Sequence, residues 1–248
     1  MLELNKIYNM GCMKMLPQIP DNFVDCIWTD IPYLCSQGGA SESSKFGSKN
    51  KNFYDPEKLE LYKKGKLFKH NDIAPSVYMG ELYRVLKEKG HIYLMTNSLH
   101  LSDVEIEMRK VGFIINNILV MRKNTCVTNQ WYMKDCEFTI FARKGNAKPL
   151  NNCSLKTVMD VIMPNQREKI QEAQKPVDYI YTLIENSTEL GDIVLDPFMG
   201  SGSTAIACIK AKRNYIGFEI DTDNYDLATD RINTVQAQST IFDLLPSQ

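Results

Sequence analysis

A glycine-rich turn between two short apolar runs most constrains how this 248-residue chain can fold. The first run, 192–195, leads into Asp196-Pro-Phe-Met-Gly-Ser-Gly-Ser-Thr, and a helix-like stretch follows at 205–212. The second run, 215–218, ends on Glu219. This order of strand, acid, turn, helix, strand and acid is typical of a βαβ unit in a mostly parallel sheet.

The turn indicates a ligand that carries both an anionic group and a ribose. Gly200 and Gly202 allow the backbone to approach the ligand closely, and amides at the helix start favour its carboxylate or phosphate. Glu219 is placed to accept hydrogen bonds from ribose hydroxyls. S-adenosylmethionine fits better than a dinucleotide, because too little chain follows Glu219 to build the second half of a dinucleotide fold. A plain turn whose glycines only pack helix against strand remains open.

The composition argues against a disordered, a strongly basic, a disulfide-rich or a membrane-spanning protein. Hydrophobic residues make up 44% and charged residues 24%, so one large α/β domain over 1–248 can form a full core. A net charge of −1 gives no overall attraction to nucleic acid, so DNA contacts require a local basic patch. Seven cysteines without C-x-x-C spacing indicate reduced thiols and no metal site. Without a signal peptide or a membrane-spanning run, we expect a soluble cytoplasmic protein.

Hydrophobic periodicity predicts strands that alternate with helices on both faces of the sheet. The predicted strands are 7–8, 24–29, 91–96, 113–121, 136–142, 192–195 and 215–218. The predicted helices are 76–89, 101–111, one that begins at Pro176, 205–212 and 224–234, with Gly90 and Gly112 as helix stops. No helix separates 113–121 from 136–142, which predicts an antiparallel pair joined by a polar loop. The stretch 143–175 is predicted to be irregular.

A second motif, Asp30-Ile31-Pro32-Tyr33, ends the predicted strand 24–29. In an open α/β sheet, the carboxyl ends of the strands lie along one crevice. Asp30 and Asp196 each follow a predicted strand, so we expect the two carboxylates to lie close together. Asp30 and a backbone carbonyl of the motif can accept the two N–H groups of an exocyclic amine, while Pro32 fixes φ and Tyr33 offers a stacking face. This chemistry predicts methylation of a base flipped out of the duplex. The alternative is that Asp30 caps a turn and Tyr33 is core.

The two motifs together resemble those of the S-adenosylmethionine-dependent DNA amino-methyltransferases, which modify N6 of adenine or N4 of cytosine. The turn at 196–202 is similar to the family's cofactor motif, and 30–33 to its D/N/S-P-P-Y/F/W catalytic motif. Gln174-Lys175-Pro176 resembles the segment before the cofactor motif, and 9–12 and 19–25 resemble the amino-terminal lead-in. The catalytic motif comes first, the order of the circularly permuted β group. The resemblance implies a Rossmann-like methyltransferase fold with a mostly parallel seven-strand sheet and an antiparallel hairpin.

The resemblance also implies roles for individual residues. The catalytic residues would be Asp30, Ile31, Pro32 and Tyr33. The residues that bind S-adenosylmethionine would be Gly11, Cys12, Asp30, Lys175, Asp196, Pro197, Phe198, Gly200, Ser201, Gly202, Ser203, Thr204, Glu219 and Ile220.

Length and local charge predict the DNA contacts. The stretch 34–75 is rich in lysine and lacks periodicity, which predicts a basic flexible loop that contacts DNA or is disordered. The predicted DNA-binding residues are Lys45, Lys49, Lys51, Arg122, Lys123 and Trp131. The β group places target recognition between its hairpin and its lysine-proline segment, so 144–173 is the candidate target-recognition segment.

The leading hypothesis is a site-specific DNA adenine-N6 methyltransferase of a restriction-modification system, because Asp rather than Ser at position 30 favours adenine. The alternatives are cytosine-N4 methylation, methylation of RNA or of a protein glutamine, and a catalytically weak or silent DNA-binding relative. The last is motivated by Ile31, where proline is usual, and by Gly11, where an acid is expected near the adenine of the cofactor. Double-stranded DNA is the expected partner; a homodimer and a cognate restriction endonuclease are open.

Overall fold

The computed structural model describes residues 2–32, 73–127, 132–163 and 174–244. These residues form one sheet of eight strands in the order β1-β8-β7-β2-β3-β5-β4-β6. The strands are β1 (Lys6–Tyr8), β2 (Val24–Asp30), β3 (Leu86–Thr96), β4 (Ile114–Val127), β5 (Lys134–Arg143), β6 (Val158–Val161), β7 (Ile193–Asp196) and β8 (Asn214–Phe218). The helices are α1 (Cys12–Met15), α2 (Pro75–Val85), α3 (Leu101–Val111), α4 (Val177–Ser187), α5 (Ser203–Ala211) and α6 (Thr222–Leu244).

The sheet is mostly parallel and contains an antiparallel hairpin, as predicted. Strand β5 runs antiparallel to both β3 and β4, and the other neighbouring strands are parallel. Strands β2 and β7 are adjacent, with Cys26 paired to Val194 and Ile27 paired to Leu195. Because these two strands are parallel and in register, their carboxyl ends, Asp30 and Asp196, lie at the same edge of the sheet.

Helices cover both faces of the sheet. On one face, Trp28 and Tyr93 pack with residues of α4, α5 and α6. On the other face, Ile27 and Leu94 pack with residues of α1, α2 and α3. Neighbouring residues of β2 therefore belong to different clusters, which explains why the central strands are apolar almost throughout. Among the described residues, no helix is long and apolar enough to cross a lipid bilayer.

The sheet has one strand more than the predicted seven. Strand β6 lies inside the stretch 143–175 that was predicted to be irregular, so that prediction was wrong. Among the residues that the structure describes, it pairs only with β4, at the edge of the sheet, and Val158 is half exposed. A four-residue edge strand buries too little apolar surface to leave a clear alternation in the sequence.

Three further boundaries differ from prediction by several residues. The helix predicted over 76–89 ends at Val85, and Leu86 begins β3, where it pairs with Val24 of β2. Pairing between strands here outweighs the helical periodicity, and Gly90 lies within β3 rather than after a helix. Strand β4 extends through Arg122 to Val127, into the stretch predicted as a polar loop, because β5 pairs with it there. The last helix also runs further than predicted, to Leu244.

Candidate active site

Asp196, at the carboxyl end of β7, is buried and held by three donors. Its Oδ1 accepts a hydrogen bond from Thr29 Oγ1 at 2.7 Å and from the Phe198 backbone N–H at 3.0 Å. Its Oδ2 accepts from Thr204 Oγ1 at 2.5 Å. Burial raises the pKa of Asp196 to about 6, although these donors favour the charged form. Asp196 therefore fixes the turn and the start of α5 against β2.

The glycine turn has left-handed backbone at both glycines. Gly200 has a φ of 53° and Gly202 a φ of 80°, a region of backbone angles that residues other than glycine rarely adopt. A Cβ atom on Gly202 would lie 3.1 Å from Ala228 Cβ, so α6 fills the space beside this glycine. The guanidinium of Arg231, also on α6, donates to the Ser201 carbonyl. Gly202 is thus required by its backbone angle and by the packing of α6, and its N–H donates to the Met199 carbonyl at 3.1 Å, which closes the turn before α5.

Glu219 lies directly beyond β8, opposite the turn. One carboxylate oxygen accepts the Gly200 N–H at 2.7 Å and the other accepts the Asp221 N–H at 2.8 Å. Burial raises the pKa of this carboxyl. A carboxylate has about four lone-pair positions, so the backbone donors leave capacity to accept from a ribose hydroxyl. The geometry fits a nucleoside against Glu219.

Gly11 and Ile220 lie next to each other, and Ile220 directly follows Glu219 in the chain. A Cβ on Gly11 would lie 3.1 Å from Ile220 Cδ1, and Ile220 is half exposed. Gly11 precedes α1, whose first residue, Cys12, is buried, and burial raises the pKa of that thiol to about 11. Asn9 connects the segment before α1 to the residue after β8, since its side-chain amide donates to the Glu219 backbone carbonyl at 3.1 Å.

Asp30, at the carboxyl end of β2, has its two side-chain oxygens in different environments. Oδ2 lies 3.2 Å from Lys175 Nζ. Oδ1 is buried and has no hydrogen-bond partner among the described residues. Burial raises the pKa of Asp30 to about 6, Lys175 lowers it and Glu137 raises it. A buried carboxylate oxygen without a donor is costly, so it marks a position at which a ligand N–H is expected.

The peptide after Asp30 is anchored to β3. Ile31 is buried, and its N–H donates to the Met95 carbonyl at 3.2 Å, which continues the pairing of β2 with β3. A proline at position 31 has no N–H and cannot form this bond. Ile31 departs from the expected proline. It therefore fixes the backbone after Asp30 by a hydrogen bond to β3, whereas a proline would fix it by the φ restriction of its ring. Pro32 is half buried, and Tyr33 lies outside the described residues.

Sequence reasoning missed Glu137, on β5. Its carboxylate lies 2.6 Å from Lys175 Nζ and 3.2 Å from Lys123 Nζ. A single glutamate in a strand gives no signal in the sequence, because its ion-pair partners, Lys123 of β4 and Lys175 two residues before α4, are not its neighbours in the chain. Lys175, predicted to bind the cofactor, has its ammonium between Glu137 and Asp30.

The remaining predicted residues fall into three groups. Pro197, Ser201, Ser203 and Thr204 are buried in or beside the turn, and Phe198 packs edge-on against Tyr78 with ring centroids 4.9 Å apart. Of the predicted DNA contacts, Lys123 is mostly buried and paired with Glu137, whereas Arg122 is exposed and paired with Asp160. The other four predicted DNA contacts lie outside the described residues: Lys45, Lys49, Lys51 and Trp131.

Residues 24–230 match the family model described as DNA methylase, which covers N6 and N4 enzymes. The chain belongs to the DNA methylase family. Type II methyltransferase M2.MboI from Moraxella bovis is 28% identical over 249 residues, which cover 92% of this chain and 88% of that protein. These findings confirm the predicted resemblance to S-adenosylmethionine-dependent DNA amino-methyltransferases.

Solved structures of DNA methylases share the fold. The complex of M1.HpyAVI with S-adenosylmethionine superposes with a TM-score of 0.68 at 21% identity and covers 92% of this chain and 98% of that one. The cytosine-N4-specific PvuII DNA methyltransferase has a TM-score of 0.67 at 13% identity, with 93% and 90% covered. The DNA methylase family uses S-adenosylmethionine as its methyl donor, so the predicted cofactor is confirmed.

Proposed function

We propose that this DNA methylase is site-specific, belongs to the permuted β group and transfers a methyl group to N6 of a flipped adenine. One observation carries the proposal: the buried Asp30 Oδ1 lacks a donor among the described residues and lies at the same sheet edge as the glycine turn. Asp30 precedes Asp196 in the chain, which is the motif order of the β group.

The residues of the site account for amine methylation without a strong base. Asp30 Oδ1 accepts one N–H of the target amine and holds the nitrogen toward the turn, where Glu219 binds a ribose. S-adenosylmethionine, when bound, supplies a methyl group on a positively charged sulfur. Methyl transfer would exchange the S–CH₃ bond of the donor for an N–CH₃ bond on the amine, and the amine would then lose a proton. A carboxyl with a pKa near 6 can take that proton and pass it to water at neutral pH.

Adenine is favoured over cytosine by Asp at position 30 of the motif. The fold does not separate the two bases, since a cytosine-N4-specific enzyme superposes on this chain with a TM-score of 0.67 and the matching family model covers both N6 and N4 enzymes. The cytosine-N4 reaction therefore stays as the second candidate, and the modified base must be identified directly.

The test is transfer of label from tritiated S-adenosylmethionine to DNA, RNA and protein, followed by separation of the nucleosides. We expect 6-methyladenine in DNA from the wild type and no label with Asp30→Ala. Asp178→Ala is the control, because Asp178 is exposed on α4 and its partner is the exposed Lys210. Label in 4-methylcytosine would show that the target is N4 of cytosine and not N6 of adenine. Label in RNA or protein only, or in no polymer, would overturn the proposal.

The DNA contacts are proposed separately from the chemistry. Neutralising Lys45, Lys49 and Lys51 together would weaken DNA binding and reduce the dependence of its affinity on salt, because fewer counterions are released. An unchanged salt slope would exclude these lysines as phosphate contacts. Target recognition by 144–173, a homodimer and a cognate endonuclease remain predictions.

A further inference from the structure

Four charged side chains form a continuous row across the sheet, from the catalytic edge towards β4. Lys123 pairs with Glu137 at 3.2 Å, Glu137 with Lys175 at 2.6 Å, and Lys175 with Asp30 at 3.2 Å. Their side chains are 15%, 20%, 9% and 22% exposed in that order. Charges that are partly removed from water in this way influence one another more strongly than surface pairs do.

The start of α4 is fixed so that Lys175 reaches both carboxylates. Tyr179, in the first turn of α4, shares a 3.0 Å hydrogen bond with Thr139 of β5, and both side chains are buried. Thr139 lies two residues from Glu137 on the same strand, so both point to the same face of the sheet. Lys175 precedes α4 and is held over that face.

We infer that Glu137 is a positioning residue for Asp30 that acts through Lys175. This inference rests on the proposed role of Asp30 as the acceptor of the target amine. Glu137 holds the Lys175 ammonium, which takes up Asp30 Oδ2 and leaves Oδ1 for the amine. Glu137 also offsets the positive charge of Lys175, so Asp30 is fixed in position without becoming too weak a base to accept the amine N–H.

The two neighbours act on Asp30 in opposite directions. Lys175 lowers the pKa of Asp30 and Glu137 raises it, while burial holds it near 6. Asp196, the other carboxylate at this edge, has its own pKa raised in part by Asp30. Removing Glu137 should therefore make Asp30 more acidic, and removing Lys175 should make it less acidic.

The experiment is a titration of the Asp30 carboxyl by ¹³C NMR in protein labelled at the aspartate side chains. The Asp30 signal is the one that Asp30→Asn removes. We expect the midpoint to fall by about 0.5 unit or more in Glu137→Gln and to rise by about 1 unit in Lys175→Gln. The double variant should fall between them. Glu105→Gln is the matched control, because it removes an exposed carboxylate from an ion pair with Arg109 on α3 and should leave the midpoint unchanged.

Single-turnover methyl transfer over the same pH range supplies the second readout. The pH at which the rate falls on the acid side should move with the Asp30 midpoint in each variant. An unchanged midpoint in Glu137→Gln, or a shift in the same direction as Lys175→Gln, would overturn the inference. The titration needs no DNA, so it still decides the role of Glu137 if the wild type labels no polymer and the proposed function fails.

Discussion

Thr29 Oγ1 donates to Asp196 Oδ1 at 2.7 Å and so joins β2 to β7 at the edge of the sheet that carries the site. The two residues are 167 positions apart in the chain. This hydrogen bond sets the cofactor turn in a fixed position relative to Asp30, the next residue after Thr29.

Replacing Thr29 by valine tests this connection, because valine keeps the shape and removes the hydroxyl. Asp196 would lose one of three donors in a buried position, and we expect a loss of about 1–3 kcal/mol in the free energy of unfolding. Cofactor affinity, measured by calorimetry, should fall about tenfold, which corresponds to 1.4 kcal/mol.

The control for Thr29→Val is Thr188→Val. Thr188 is also buried and its hydroxyl is also hydrogen bonded, to the Ile184 carbonyl at 2.6 Å, beyond the amino end of β7 and away from the site. It should lose comparable stability and keep its cofactor affinity. Equal affinity losses in both variants would show that the effect is general destabilisation.

Isoleucine at position 31 is predicted to stabilise the site through its N–H. Ile31→Pro removes the hydrogen bond to the Met95 carbonyl, and we expect about 1 kcal/mol lower stability in urea unfolding. Ile31→Val keeps the N–H and serves as the control for lost side-chain volume. If Ile31→Val and Ile31→Pro lower the free energy of unfolding equally, the hydrogen bond to Met95 contributes nothing to stability.

Gly11 can accept a side chain without backbone strain, because its φ is −66°. If this position faces the adenine of the cofactor, Gly11→Asp adds a hydrogen-bond acceptor worth about 0.5–1.5 kcal/mol. The contact with Ile220 must be relieved first, so the variant to measure is Gly11→Asp with Ile220→Ala. It should bind S-adenosylmethionine more tightly than Gly11→Ala with Ile220→Ala. Equal affinities would place the adenine elsewhere.

Stability should depend on pH through His91. Its ring is buried between Ser187 Oγ, at 2.9 Å, and the Lys148 carbonyl, at 3.1 Å, and burial lowers its pKa to about 4. The unfolded chain binds a proton at His91 below about pH 6.5, while the folded protein does not until about pH 4. Stability is therefore full above pH 6.5 and falls by about 3 kcal/mol as the pH drops to 4.

The measurement is urea unfolding of the wild type and of His91→Gln at several pH values. His100 and the carboxyl groups contribute equally to both proteins, so the difference between the two curves isolates His91. The difference should change across pH 4 to 6.5 and be constant above. A constant difference throughout would show that His91 titrates normally in the folded protein.

The sequence predicted the elements that carry the candidate site where those elements are local in the chain. The strand, turn and helix at 192–212 consist of neighbouring residues, so residue type and spacing were sufficient to place β7 and α5. The roles of residues 30–33 and of the turn remain predictions. Glu137 could not be predicted, because its role depends on Lys123 and Lys175, which are brought to it by the pairing of strands and the docking of α4. Strand β6 was missed for a related reason, since its pairing with β4 decides its conformation.

Strand β1 lies beside β8, so within the described part of the chain the first strand pairs with the last one. Lys6 pairs with Ile216 and Tyr8 with Phe218. During synthesis, the ribosome must deliver some 200 residues before this border can close, and pairings over such distances along a chain form slowly. A polypeptide that ends before residue 214 lacks β8, the partner of β1, and also lacks Glu219. Closing this border of the described sheet therefore requires segments 6–8 and 216–218 to be present in one chain.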